Sequence, residues 1–160
     1  MANDARRPSG RLLPQAGELR VWREFIEAFE ELRSEVASRL LAETALSAGD
    51  YVILLALSEA AGERLRSSQL AEAVAWERSR LSHHLGRMER RGLIRREECL
   101  ADSRGAEVVL TTDGAAAFRH ATVPHLRAVR ELFVDAFAPD QLDTIASIAS
   151  TLRAHLRSIN

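Results

Sequence analysis

Lysine is absent from this chain of 160 residues, so all 22 of its basic residues are arginine. A genomic base-composition bias accounts for that as readily as function does, although guanidinium forks suit phosphate and guanine edges better than ammonium groups. Cysteine is nearly absent too. The single thiol, Cys99, cannot form an internal bridge, and a reducing compartment is the simpler reading. The longest apolar run, Val52 to Leu57, falls far short of the roughly 18 residues that a bilayer crossing needs. The opening stretch through Asp4, Arg6, Arg7, Pro8, Ser9, Gly10 and Arg11 has no apolar segment of signal-peptide length behind it. Together these absences predict a cytoplasmic protein with no membrane partner. Neither a G-x-S-x-G elbow nor a phosphate-cradling glycine loop occurs, so no enzyme chemistry and no cofactor is expected. His83 and His84 are neighbours that point about 100° apart on a helix, while His120, His125 and His155 lack the i, i+4 spacing of helical metal pairs. No metal is expected.

What is present is an ordinary globular composition, 46% hydrophobic and 28% charged with a net charge of −1. A chain of this length buries roughly 70% of the surface that its unfolded form exposes, enough to fold without disulfides or metal. The near-zero net charge hides an asymmetry. Between Arg78 and Arg104 lie eight arginines (78, 80, 87, 90, 91, 95, 96 and 104) against four acids (Glu89, Glu97, Glu98 and Asp102), a local surplus of four positive charges. Such a surplus inside an otherwise acidic chain is how a localised phosphate-binding footprint appears.

Periodicity divides the rest. Residues 1–16, with two prolines and one glycine before any apolar rhythm, read as a mobile tail. Trp22, Phe25, Phe29, Leu32, Val36 and Leu40 then recur at helical steps, with charged residues opposite them. Ser47-Ala48-Gly49-Asp50 has the form of a capping box flanked by the apolar pair Leu46 and Tyr51, predicting a second helix from Ala48 to about Ala60 that Gly62 ends. Ser67 or Ser68 can cap a third helix that runs to near Trp76. A fourth spans Arg78 to Gly92. Leu93–Cys99 and Ala106–Thr111 read as two strands joined by the turn Ala101-Asp102-Ser103-Arg104-Gly105. Helical pattern resumes at Thr112, with a kink or break expected at Pro124, and a last helix starts at Pro139 with the stripe Leu142, Ile145, Ile148, Leu152, Leu156 and Ile159.

The fourth helix carries the chemistry. Leu81, Leu85 and Met88 fall on one side; Arg78 opens the helix, and Ser79, Arg80, Ser82, His83, Gly86, Arg87 and Arg90 collect on the other. Arginine and histidine address guanine acceptors, serine reaches bases or phosphates, and Gly86 lets the helix approach closely, so this face suits a major groove. A solvated arginine-rich face is the plainer reading of such a helix taken alone. The hairpin alters that balance, because Arg104 beside Gly105 at its tip suits an adjacent narrow minor groove.

Ser79-Arg80-Leu81-Ser82, then Glu89-Arg90-Arg91-Gly92-Leu93-Ile94, then Asp102-x-Arg104-x-x-x-Val108-x-Leu110-Thr111-x-x-Gly114 resemble the MarR family of winged-helix transcriptional regulators, over residues 19–157. The resemblance implies a mainly α fold: a winged helix-turn-helix with a two-stranded β-wing, and N- and C-terminal helices that interlock two subunits. It implies double-stranded DNA as partner, a homodimer on a pseudo-palindromic operator, and usually a repressor released by a small ligand. DNA contacts carry over onto Ser79, Arg80, Ser82, His83 and Arg87, with Arg104 entering the minor groove and Asp102 steadying the wing. The resulting divisions are a tail (1–16), a dimerisation helix (17–46), the DNA-binding lobe (47–111) and the C-terminal dimerisation helices (112–160). Departures from the family pattern are Arg66 and Glu77 at capping positions and Ser103 where a second wing arginine is frequent.

Dimerisation has a physical argument of its own, since a lobe of about 65 residues cannot cover apolar stripes at both chain ends. Trp22, Phe25, Tyr51 and Trp76 could line a pocket for a small aromatic effector, though such residues are more often simply core. Two other classes stay open: a winged-helix module that binds an acidic protein partner instead of DNA, and a regulator that responds to metal or, through Cys99, to redox state.

Overall fold

The computed structural model describes residues 13–98 and 106–159. Most of the expected tail, and the hairpin turn with Cys99, Asp102 and Arg104, therefore lie outside the described residues. The elements in chain order are α1 (Ala16–Thr44), α2 (Ala48–Ser58), β1 (Arg64–Arg66), α3 (Ser67–Ala73), α4 (Arg78–Arg90), β2 (Ile94–Glu98), β3 (Ala106–Leu110), α5 (Thr112–Leu132) and α6 (Pro139–Ile159).

Local chemistry explains most of the boundaries. At α2 the Ser47 hydroxyl accepts the Asp50 N–H at 3.1 Å and the Asp50 carboxylate accepts the Ser47 N–H at 2.9 Å, so the capping box forms as expected. The helix stops at Ser58, and Gly62 sits at φ 68° in a 3₁₀ turn that delivers the chain to β1. Ser67 does not cap α3. Arg66 occupies that position, its N–H donating to the Gln69 amide oxygen at 3.2 Å, while the Ser67 hydroxyl donates to the Ala106 carbonyl at 3.0 Å and ties α3 to β3. α4 ends in a Schellman motif: Gly92 takes φ 74°, its N–H reaches the Glu89 carbonyl at 2.9 Å, and the Leu93 N–H reaches that of Met88 at 3.0 Å.

β2 and β3 pair antiparallel from Ile94 opposite Leu110 to Glu98 opposite Ala106, which is the expected hairpin. The sheet has one strand more than the sequence predicts. β1 pairs with the other edge of β3, giving the order β1-β3-β2, and at three residues it carries too little alternation to be read locally. Pro124 does not break α5, which continues to Leu132; its missing N–H withdraws only one bond from the ladder.

At the root of the hairpin, the Thr111 hydroxyl donates to the Gly92 carbonyl at 2.6 Å and accepts the Gly114 N–H at 2.9 Å, while the Leu93 carbonyl accepts the Thr111 N–H at 3.3 Å. A Cβ on Gly114 would overlap that Leu93 carbonyl, which is the physical reason for glycine there.

The chain divides into two compact units, one ending at Ser34 and one starting at Glu35, so the division falls inside α1. In the first, Phe25 stacks on Phe29 with centroids 6.5 Å apart, and Trp22, Phe25 and Phe29 are exposed. In the second, the core is built from α2, α3, α4 and the sheet: Ile53, Leu54, Leu57, Leu70, Leu81, Leu85, Met88, Ile94 and Val108 are buried, each worth roughly 1.5–3 kcal/mol. The C-terminal half of α1 reaches α5 through Arg39 and Glu131 at 2.8 Å. α6 buries none of its side chains; Ile148, Leu152, Leu156 and Ile159 are all exposed. Among the described residues no single helix is long and apolar enough to cross a membrane.

Candidate nucleic-acid interface

α4 presents the two faces expected of it. Leu81, Leu85 and Met88 are buried, while Arg78, Ser79, Arg80, Ser82, His83, Arg87 and Arg90 are exposed. The other described arginines of the basic segment are spent on carboxylates. Arg96 grips Glu89 through Nε and a terminal nitrogen at 2.9 and 2.7 Å, Arg95 holds Glu97 at 2.6 Å, and Arg91 holds Asp50 at 2.7 Å. Among the described residues none of Arg78, Arg80, Arg87 and Arg90 has an acidic partner. Among the described residues the positive surplus is therefore concentrated on the outward face of α4, where none of these four arginines is paired with a carboxylate.

Behind that face lies a polar brace that the sequence did not reveal. The Asp50 side chain, 3% exposed, takes hydrogen bonds from Arg91 at 2.7 Å and from the Ser47 N–H, and meets His84 Nε2 at 2.9 Å. Arg87 donates to His84 Nδ1 at 2.8 Å. Because a guanidinium can only donate, Nδ1 is the acceptor, and the proton of a neutral ring sits on Nε2 and goes to Asp50. Burial, the largest influence on the Asp50 carboxyl, pushes it upward, but the hydrogen bonds from Arg91 and Ser47 outweigh burial and hold it below the usual carboxylate range. Asp50 was legible only as a helix cap, and His84 only as a ring pointing about 100° away from His83.

The Arg80 guanidinium lies over the Trp76 ring, 4.2 Å from its centroid, and the same ring meets His84 edge-on at 5.2 Å. Gly49 permits this approach: a Cβ there would stand 2.8 Å from His84 Cε1 and 2.9 Å from the Trp76 ring. Tyr51, two residues on and so about 200° around α2, faces the other way, against Phe118 and His125 at centroid distances of 5.3 and 4.2 Å. Of the four aromatics expected to line an effector pocket, Tyr51 and Trp76 have separate ring partners. Trp76 belongs to the α4 face, Tyr51 packs on α5, and Trp22 and Phe25 stand exposed on the first part of α1. The Nδ1 of His125 is buried with no hydrogen-bond partner among the described residues, and burial lowers the pKa of this ring. Among the described residues no group of three or more His, Cys, Asp or Glu side chains could hold a metal ion.

Comparison with known proteins accords with this geometry. A family model described as the MarR family matches residues 46–105. AbsC, a MarR family transcriptional regulator from Streptomyces coelicolor, is 37% identical, with 93% of this chain and 99% of that chain covered at a TM-score of 0.83. The chain belongs to the MarR family. A second MarR family transcriptional regulator from S. coelicolor, solved in complex with DNA, is 32% identical, with 92% of each chain covered at a TM-score of 0.85. An organohalide-sensing regulator in its 2,4-dichlorophenol-bound form shares the fold at 19% identity, with 90% of this chain and 86% of that chain covered and a TM-score of 0.77. No curated protein matches the sequence.

As a MarR-family transcriptional regulator, the chain has α3 and α4 as its helix-turn-helix and β2–β3 as its wing. The turn between the helices passes through Ala75 at φ 53°, an unusual conformation for a residue with a Cβ. The departure at Glu77 is real in structural terms: it stands at the start of α4 without capping it through its side chain.

Proposed function

We propose that this protein is a sequence-specific repressor that binds a pseudo-palindromic operator as a homodimer in the cytoplasm and is released by a small aromatic effector. The observation that carries DNA binding is the outward face of α4, where four arginines with no acidic partner among the described residues stand beside Ser79, Ser82 and His83. The relative bound to DNA supports the same reading. Arg80, Ser82, His83 and Arg87 address base edges, Arg78, Ser79 and Arg90 the backbone, and Arg104, with Asp102 steadying the wing, the minor groove.

The uncovered apolar residues of α6, and separately those of early α1, support dimerisation. A twofold axis would set two α4 helices about 34 Å apart, one turn of duplex. The His125 nitrogen, buried beside the Tyr51 ring with no partner among the described residues, favours an effector that brings a hydrogen-bonding group and an aromatic face.

Gel retardation with duplex from beside its own gene, over a salt series, tests the reading. Binding should weaken steeply with salt, and Arg90→Ala should flatten the slope by about one unit. A purified chain that ignores every duplex at low ionic strength would refute DNA binding and favour an acidic protein partner. A promoter-reporter strain separates repression from activation.

A further inference from the structure

Two of the exposed arginines of α4 are held by ring side chains braced against α2, whereas Arg90 is tethered only to its own helix, its Nε–H donating to the Gly86 carbonyl at 3.1 Å. Arg80 rests on the Trp76 ring, and Arg87 gives one N–H to His84, whose ring is itself fixed by Asp50. Both supports lean on consecutive residues of α2, Trp76 and His84 against Gly49 and His84 on Asp50. Arg80 and Arg87 are seven residues apart, which on a helix returns to the same face two turns on, about 10.5 Å along the axis. At about 3.4 Å per base pair this is three steps of duplex.

An arginine already confined has less freedom to lose on binding, and confinement matters most where the fork must meet a fixed pair of acceptors. Guanine O6 and N7 are such a pair, whereas a phosphate accepts from a wide range of directions. Arg87 still has four N–H groups free after donating to His84, enough for a bidentate contact.

We infer that Trp76 and His84 are positioning residues that aim Arg80 and Arg87 at two guanines three base-pair steps apart in each half-site. This rests on the DNA-binding reading above and deepens it by naming what the recognition face selects. Neither residue needs to touch DNA.

The test is selection from a randomised duplex pool with the full-length chain, sequencing what is bound. Wild type should enrich two G·C pairs with two base pairs between them. Trp76→Leu should lose the preference at one of them, keep the other, and bind the wild-type site about three- to tenfold more weakly. His84→Leu should lose the second. Trp76→Phe and His84→Gln, which retain a ring and a donor–acceptor pair, should restore most of each preference. Base preference does not depend on the fraction of protein folded, so a merely structural role would leave it unchanged while lowering yield or affinity. Variants with wild-type preferences overturn the inference alone; a wild type that enriches no sequence overturns the DNA-binding reading and the inference with it.

Discussion

Replacing Asp50 by asparagine should be costly out of proportion to its size. One carboxylate oxygen serves both Arg91 and the Ser47 N–H, the other His84. Asparagine has one oxygen to give. If that oxygen keeps Arg91 and Ser47, the amide group turns toward His84, and a donor meets a donor. The ring can answer by moving its proton to Nδ1, but Nδ1 then no longer accepts from Arg87. A charge-assisted hydrogen bond contributes about 1.5–3 kcal/mol and a neutral one about 0.5–1.5. Weakening the Arg91 bond, discounted because Arg91 is 43% exposed, and losing the Arg87 bond together give about 2–3 kcal/mol. For a chain of this length that lowers Tm by about 5–10 °C. Thermal and urea melts at one protein concentration measure it, since an oligomer's stability depends on concentration. The pH dependence has a definite sign. A carboxyl whose pKa is depressed by folding stabilises above its unfolded value of about 3.9, and that contribution disappears as pH falls through the lower folded value. The gap between wild type and Asp50→Asn should therefore hold from pH 7 down to 5 and close only in the acid limb. A variant within about 0.5 kcal/mol of wild type at pH 7 would refute the brace as a source of stability.

Gly114→Ala should destabilise by about 2–3 kcal/mol despite the better helix propensity of alanine, because the Leu93 carbonyl has to move; an unchanged urea midpoint would contradict this. Leu152→Arg on α6 should give a monomer with the circular dichroism of the wild type, read by light scattering, and a persistent dimer would show that α6 lies outside the interface. His125, whose pKa burial depresses, should make stability decline as pH drops below about 6.5, where the unfolded chain takes up the proton first; His125→Phe should remove that part of the slope in melts between pH 8 and 5.

What was legible in the sequence is what depends on near neighbours. The Ser47–Asp50 box, the glycine that closes α4, the start of α6 at Pro139 and the split between Leu81, Leu85, Met88 and the arginine face all follow from chemistry within a few residues. The brace did not, because His84 and Arg91 lie 34 and 41 positions from Asp50 and no periodicity brings them together on paper. β1 escaped notice for a related reason, since its only evidence is a partner strand far along the chain. Trp76 was legible as an aromatic and not as a shelf, a distinction made by the turn that swings it back under Arg80.

The seam where α4 ends and α5 begins leaves little room for independent motion. Thr111 bonds to the carbonyls of both Gly92 and Leu93, through its hydroxyl and its N–H, and Gly114 abuts Leu93 with no room for a Cβ. The reading helix, the base of the hairpin and the first turn of α5 must consequently swing as one piece. Whatever alters the separation of two such lobes in a dimer has to turn each whole, like a hand at the wrist, and cannot work by flexing the hairpin's root against the helix it accompanies.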